Sequence, residues 1–437
     1  MPCLLNLIYA TLLAACSPLL LYRSIRTGRY REGWREKFLG QAPLRIGDRP
    51  CVWFHAVSVG EVLLLKSVIG ELQRRRPNWE VVISTTTQTG LAVARRSYPD
   101  LVTFYAPLDF SWSVKQAIAR VRPSVLALVE LELWPNLVWS AKKAGARVAI
   151  INGRLSSRSH KGYRRIRRPL GPTLRRIDAV AAQNGEYASR FVDLGIPRSR
   201  VRVTGSVKFD GLETDRGNSK TVALRKALGL APSELIFIAG STMPGEEAAA
   251  LAAYRKAKRF HPNLRLVLVP RHAERFDQVA DWLEDQGERV VRRSRGKVAP
   301  FSPRLGVTAP VILVDSLGEL ASVWGLADVA FVGGSLNPGR GGQNMLEPAA
   351  FGASLLFGAY TANFREVVEQ LQDCGGARVV SDAADLSEAL LEDLNEPESA
   401  ARRGLAARTY VMAQDGASGR TFAEIDRLVE LPLKKSA

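Results

Sequence analysis

Residues 51–76 read CVWFHAVSVGEVLLLKSVIGELQRRR. Val52–His55 is a short apolar and aromatic run, the composition of a buried strand. His55–Glu61 is a loop, and its Gly60 permits a tight turn. Val62–Arg76 is amphipathic at helical spacing. Strand, loop and helix make one βα unit, and the unit recurs on both sides. Val81–Ser84, Val102–Tyr105, Val125–Val129, Arg147–Ile151, Ala179–Ala182 and Val201–Thr204 read as further strands, with helical stretches such as Gly90–Tyr98 between them. The rhythm pauses in a polar segment over 211–233. It resumes at Ile236–Ala239, Leu264–Val269, Val311–Val314, Val329–Val332 and Ser354–Leu356. Alternating strands and helices predict parallel sheets covered on both faces. The fold class is therefore α/β, with two Rossmann-like domains, 38–210 and 234–437. The stretch Pro397–Lys435 is expected to be helical and to cross back onto the first half.

The composition agrees. A chain of 437 residues, 46% hydrophobic and 24% charged, is an ordinary globular protein of two or three domains. Collagen, a disordered tail protein and a multi-span transporter are excluded. The four cysteines (Cys3, Cys16, Cys51 and Cys374) form no CxxC pair, and the four histidines form no HExxH, so no metal centre is expected.

The formal charge of +18 favours anionic partners. Two blocks carry most of it. Arg23, Arg26, Arg29, Arg31, Arg35 and Lys37 flank CLLNLIYATLLAACSPLLLY at 3–22, an uncharged run about 30 Å long as a helix. Leu13-Ala14-Ala15-Cys16 resembles a lipoprotein cleavage site, but the apolar run continues past it and no basic segment precedes it. An uncleaved anchor or interfacial helix, 1–37 with its basic flank, fits better than a signal or a buried core helix, and positive residues stay on the cytoplasmic side. The second block, 154–176, holds nine basic residues and no acid. Arg164, Arg165, Arg167 and Arg168 read as an acceptor or membrane contact, against the plainer reading of a solvated helix face. Nucleic acid is not the expected partner, because no nucleic-acid motif surrounds the block.

In open α/β sheets ligands bind beyond the carboxyl ends of the strands, so the loops there carry the chemistry. Ser58-x-x-Glu61 matches a helix capping box, and Glu61 is alternatively a general base held at a helix N-terminus. Glu130-Leu-Glu132-Leu-Trp-Pro-Asn136 follows the strand Val125–Val129. Strand alternation predicts that at most one of its two carboxylates faces the ligand side. In the second half, Ser241 and Thr242 precede a helix and are candidate phosphate contacts. The glycines of Gly333-Gly334-Ser335 and Gly339–Gly342 would offer backbone N–H groups to a phosphate, and Glu347 suits ribose hydroxyls. There is no P-loop and no dinucleotide fingerprint.

Taken in order, His55–Glu61, Glu130–Asn136, Asn152–Ser156, Ala181–Asn184, Gly205–Asp210, Pro270–His272, Gly318–Leu320 and Gly333–Pro348 resemble the motifs of the 3-deoxy-D-manno-octulosonic acid (Kdo) transferases. The resemblance implies an inverting glycosyltransferase of the GT-B fold, whose two domains face a cleft and which moves Kdo from CMP-Kdo to a lipid A precursor. It implies Glu61 as catalytic base, with Glu132 and Lys208 stabilising the transition state. It places CMP against Pro270, Arg271, Leu317, Gly318, Glu319, Asn344, Met345, Leu346 and Glu347. The first domain would then bind the acceptor and the second CMP-Kdo, on the cytoplasmic face of a bacterial inner membrane rich in anionic lipid, with no metal or other cofactor. Three departures fall on the donor side: Gln343 and Met243 where the family usually has His, and a longer Leu336–Arg340. The rival readings are a GT-B transferase using a UDP-sugar and a lipid acceptor, and a non-catalytic membrane or nucleic-acid binder.

Overall fold

A computed structural model describes residues 2–27, 32–296 and 309–430. Arg29 and Arg31 of the first basic block lie outside these residues. The chain forms two compact units: Met1–Asp210 with Gln414–Ala437, and Gly211–Ala413.

The first unit is built on seven parallel strands: β1 (Cys51–His55), β2 (Glu80–Thr85), β3 (Val102–Tyr105), β4 (Val125–Val129), β5 (Arg147–Gly153), β6 (Ala179–Ala182) and β7 (Val201–Val203). Their order in the sheet is β3-β2-β1-β4-β5-β6-β7. One face packs Trp53, Leu126, Leu128 and Ile150 against Val114, Leu137 and Phe191. The other packs Phe54, Ala127 and Ile151 against Val62, Leu65 and Ile69. Burial on both faces explains why the strands read as continuous apolar runs. Helix Val59–Arg75 buries Val62, Leu65, Val68, Ile69 and Leu72, the i, i+3, i+4 stripe of an amphipathic helix. It ends before Pro77, which cannot continue it.

The second unit also has seven parallel strands: β8 (Leu235–Thr242), β9 (Leu264–Pro270), β10 (Val290–Arg292), β11 (Val311–Leu313), β12 (Val329–Val332), β13 (Ser354–Gly358) and β14 (Arg378–Val380), in the order β10-β11-β9-β8-β12-β13-β14. The outermost strands β10 and β14 escape a sequence reading. Each is three residues long and mostly half-exposed, so neither leaves a buried apolar run. The polar segment 211–233 is not a plain linker either. It contains helix Ser219–Ala227, whose first turn is capped by the Asn218 side chain.

The last described helix, Ala417–Glu430, lies on the first sheet. The Asp210 carboxylate accepts the backbone N–H of Ala417 at 3.1 Å and that of Ser418. Arg76 forms a two-point ion pair with Asp426 at 2.8 and 3.0 Å. Phe422, Ile425 and Leu428 are buried in the same core as Val62 and Ile69, each contributing about 2 kcal/mol by burial.

The N-terminal run does form one helix, Pro2–Thr27, with Pro18 inside it. Among the described residues, however, no helix is long and apolar enough to cross a membrane. Of the two expected forms, a spanning anchor and an interfacial helix, the spanning one thus finds no support among the described residues. The polar side chains of the first turns are bonded to the first unit: Asn6 donates to Ser111 Oγ (2.7 Å) and accepts the Ser111 backbone N–H (2.9 Å), and the Tyr9 hydroxyl donates to Asp109 (3.0 Å). The Asp109 carboxylate also accepts the N–H groups of Asn136 and Leu137 (3.0 and 2.8 Å). The N-terminal helix is thereby tied to the start of the helix that follows Glu130–Trp134. Burial pushes the Asp109 carboxyl up to about 6.

Candidate active site

Four strand ends of the first sheet bring its charged groups together. After β1, Ser58 caps the next helix, and Glu61 N–H donates to its Oγ at 3.3 Å. The cap is reciprocal. The Ser58 hydroxyl donates to Glu61 Oε1 and the Val57 N–H to Oε2, both at 2.8 Å. Ser58 is thus the cap that the spacing predicts, although the Glu61 carboxylate takes the Val57 N–H rather than the Ser58 N–H of a strict capping box, and Glu61 is half-buried. Burial pushes its carboxyl up to about 7, against the pull of the Val57 and Ser58 donors; the charges of Glu132 and Glu130 push the same way as burial. A carboxyl poised near neutrality is matched to proton acceptance at physiological pH.

The loop after β4 departs from the alternation argument. Glu130 has φ +58°, in the left-handed region, and its N–H is bonded to Ile151 O on β5 (2.9 Å). The turn breaks the strand before Glu132, and the charges of both carboxylates act on Glu61. Burial raises the Glu132 carboxyl, opposed by the Trp134 indole N–H at 3.1 Å and reinforced by Glu130. Non-glycine residues at positive φ cluster at functional sites, and this signal is invisible in residue types alone.

Lys208 sits in a single 3-10 turn after β7. Burial lowers its ammonium pKa; the Glu130 charge counters this, and that of Arg154 adds to it. The turn is held by Asn152, whose Oδ1 accepts the Val207 N–H at 3.2 Å. Asn152 is itself left-handed, with φ +50°, at a register break between β5 and β6. Glu61, Glu130, Glu132 and Lys208 thus form one electrostatically coupled group.

A buried network beneath this group lacks a sequence signature. The Trp53 indole donates to Ser84 Oγ at 2.8 Å, and His55 Nδ1 lies 3.0 Å from the same oxygen. Trp53 can only donate, so Ser84 Oγ accepts from it, and the direction of the His55–Ser84 bond follows the imidazole tautomer. Burial lowers the His55 pKa to about 4, so the ring is neutral. Its Nε2 has no hydrogen-bond partner, and the ring stands perpendicular to that of Trp134 at 5.8 Å. Through Trp134 the network reaches Glu132.

Arg164, Arg165, Arg167 and Arg168 are all exposed, on helices Ser157–Arg165 and Arg167–Leu174. Arg164 reaches Asp193 at 3.7 Å. The other three have no ion pair among the described residues.

The donor-side residues of the second unit are arranged differently from the sequence reading. Glu246, fully buried, accepts four backbone N–H groups: Met243 (2.8 Å), Gly334 (2.7 Å), Ser335 (3.0 Å) and Leu336 (2.9 Å). The N–H groups of Gly334 and Ser335 are thus engaged by protein, which corrects their assignment to a phosphate. Gly333 is glycine for packing: a Cβ there would lie 2.7 Å from Glu246 Oε2. Thr242 is corrected too, since it is buried and its hydroxyl donates to Glu247 at 2.7 Å. Ser241 has φ +54° at a register break between β8 and β9.

Pro270 ends β9, and the exposed Arg271 acts on the half-buried Glu347. Burial raises the Glu347 carboxyl, opposed by the Asn344 amide (3.0 Å) and the Arg271 charge. Asn344 also accepts the Leu346 N–H at 3.1 Å. Leu317 is 77% exposed and next to Gly318 at φ +85°. The Glu319 carboxyl is held by Arg293 (3.0 Å) and the Ser316 hydroxyl. Met345 and Leu346 have buried side chains, so only their backbones can border a ligand.

Solved structures share this double-sheet fold. UDP-GlcNAc 2-epimerase from Neisseria meningitidis aligns at a TM-score of 0.59 and 14% identity, covering 87% of this chain and 100% of that one. A glycosyltransferase from Rickettsia africae aligns at 0.56 and 12%, covering 89% and 100%. The fold is thus α/β and GT-B-like. The family model described as 3-deoxy-D-manno-octulosonic-acid transferase (kdotransferase) matches residues 32–211. The 3-deoxy-D-manno-octulosonic acid transferase of Haemophilus influenzae is 35% identical over 418 residues, 94% of this chain and 96% of the relative. That of Bordetella pertussis is 31% identical over 440 residues, 96% and 98%. The chain belongs to the Kdo transferase family, and it is a glycosyltransferase.

Proposed function

We propose that the chain transfers Kdo from CMP-Kdo to a hydroxyl of a lipid A precursor, with inversion. The reading is supported above all by the Glu61 carboxyl, held by Val57 and Ser58 and surrounded by Glu130 and Glu132. Glu61 takes the proton of the acceptor hydroxyl as its oxygen attacks the anomeric carbon. The bond from that carbon to the phosphate oxygen breaks, and CMP leaves with the electron pair. Lys208 and Glu132 stabilise the charge that develops on the sugar and the leaving group. CMP lies against Pro270, Arg271, Leu317, Gly318, Glu319 and Asn344 to Glu347. The mechanism calls on no cofactor.

The acceptor side is read from the first unit's surface. The N-terminal helix exposes Leu4, Leu7, Leu12, Leu19, Leu21 and Ile25. Beside it stands an aromatic group, Trp34 stacked on Phe38 (4.8 Å) and Phe110 on Trp112 (4.7 Å), with both tryptophans exposed. Apolar and aromatic side chains of this kind bury into a bilayer interface, and basic residues add attraction to anionic lipid. This supports a helix lying on the cytoplasmic face of the inner membrane, with Arg165, Arg167 and Arg168 toward acceptor phosphates or headgroups.

Incubating the chain with CMP-Kdo and a lipid A precursor should yield a Kdo-bearing lipid by mass spectrometry. Glu61→Ala should abolish it while CMP binding persists. Preference for UDP over CMP in titration would favour the UDP-sugar reading instead.

A further inference from the structure

The second unit contains a pocket of about 420 Å³ between the glycine loop Gly339–Gly341 and the segment Ala359–Arg365 that follows β13. The size suits a sugar-sized ligand. Its entrance carries two arginines, Arg340 and Arg365, and neither has a hydrogen-bond or ion-pair partner among the described residues. No acid lines it. Three other arginines of this unit are ion-paired: Arg265 with Glu234, Arg275 with Glu247, Arg292 with Asp315.

Two further features favour an anion. Thr361, 8% exposed, lines the pocket, and its hydroxyl has no partner among the described residues. The nine-residue helix Arg365–Asp373 starts at the pocket with no side-chain cap, leaving its positive end open. The walls are fixed in place. Asn363 donates its backbone N–H to Gly341 O (2.9 Å) and its amide to Arg340 O (3.1 Å), while the Tyr360 N–H donates to Ser335 O (2.9 Å). A Cβ at Gly341 would lie 2.6 Å from the Asn363 side chain, so the two loops meet through that glycine. The pocket adjoins the run Asn344–Glu347 in the chain, on the same glycine-rich loop.

We propose that this pocket is the subsite for the Kdo sugar of the donor, with Arg340 and Arg365 facing its carboxylate and Thr361 donating a hydroxyl to it. The inference rests on CMP-Kdo being the donor. Kdo is a sugar acid, ionised at neutral pH, and a guanidinium binds a carboxylate with a planar, two-point geometry that an ammonium lacks. The subsite therefore distinguishes an acidic donor sugar from a neutral one.

The test compares two ligands on one protein. Dissociation constants for CMP and for CMP-Kdo, with the KM for CMP-Kdo, are measured for the full chain and for Arg340→Gln/Arg365→Gln. The double variant should bind CMP as the parent does and CMP-Kdo about tenfold or more weakly, the loss expected for a charge-assisted hydrogen bond. Thr361→Val should weaken CMP-Kdo alone by a smaller factor, and Arg340→Lys should recover part of the loss. Equal weakening of CMP and CMP-Kdo would assign the arginines to the nucleotide phosphate and overturn the proposal. Unchanged affinity for both would return them to plain surface charge. A parent chain that binds no CMP would overturn the donor reading itself, a separate and recognisable result.

Discussion

Glu61 and Glu246 hold equivalent places in the two units. Each begins the helix after the first strand of its sheet, β1 or β8, and each of those strands lies between the sheet's second strand and the one that returns on its other side. Their surroundings are opposite. Glu246 is fully buried and meets four backbone N–H groups from two loops. Glu61 is half-buried, meets one backbone N–H and one hydroxyl, and has two other carboxylates nearby. An acid at a helix start is thus a clamp or a base according to how many donors it is given and which charges surround it. The helix end alone decides neither.

The same isosteric change should separate the two. Glu61→Gln keeps the shape and one acceptor but cannot take a proton, so turnover should fall by about a hundredfold to ten-thousandfold, with the fold intact by circular dichroism. Glu246→Gln places an amide N–H₂ against backbone donors. It should destabilise the second unit by roughly 3 kcal/mol, the penalty of buried donors left unpaired, read as an earlier denaturant midpoint. If Glu246→Gln unfolds no earlier than the parent, the clamp assignment fails. If Glu61→Gln keeps its rate, the base assignment fails.

The pH dependence sharpens the contrast. A base must be ionised, so kcat/KM should rise with pH along an acid limb with a midpoint near 7, set by Glu61. Stability moves the other way. A carboxyl whose pKa is raised in the folded state is costly to ionise there. The penalty is absent below its ordinary value and complete above about 7. Glu61→Gln should therefore gain stability relative to the parent as pH rises through that window. An acid limb near the ordinary glutamate value would remove Glu61 from the rate profile.

Much of this was legible in residue types. The strands buried on both faces announced themselves as apolar runs, and the Ser58–Glu61 cap follows from spacing. Other features depend on backbone conformation, which composition does not encode. Strand alternation does not extend to Glu130 and Glu132, because the chain turns at Glu130 with positive φ. The glycines at 333–334 resemble a phosphate loop, yet Gly333 makes room for Glu246 and Gly334 donates its N–H to it. The Pro2–Thr27 helix was legible in hydropathy, which takes no account of the bonds from Asn6 and Tyr9 to the first unit. The His55–Ser84–Trp53 network joins residues of two strands through side chains that any buried position would tolerate singly.

The smallest change bears on what separates the two acids. Ser58 caps the helix and also donates to Glu61 Oε1. Ser58→Ala removes both bonds and adds no charge. Loss of the cap should destabilise the chain by about 1 kcal/mol. Loss of the donor should shift the Glu61 acid limb to higher pH, because that hydroxyl favours the carboxylate form. The two effects are independent in sign. A plain capping residue would lower stability and leave the limb in place, whereas a residue that tunes the base must move it upward, with Ser58→Thr restoring both. A limb that stays fixed in Ser58→Ala would mean that burial and the Glu130 and Glu132 charges set Glu61 without help from its cap.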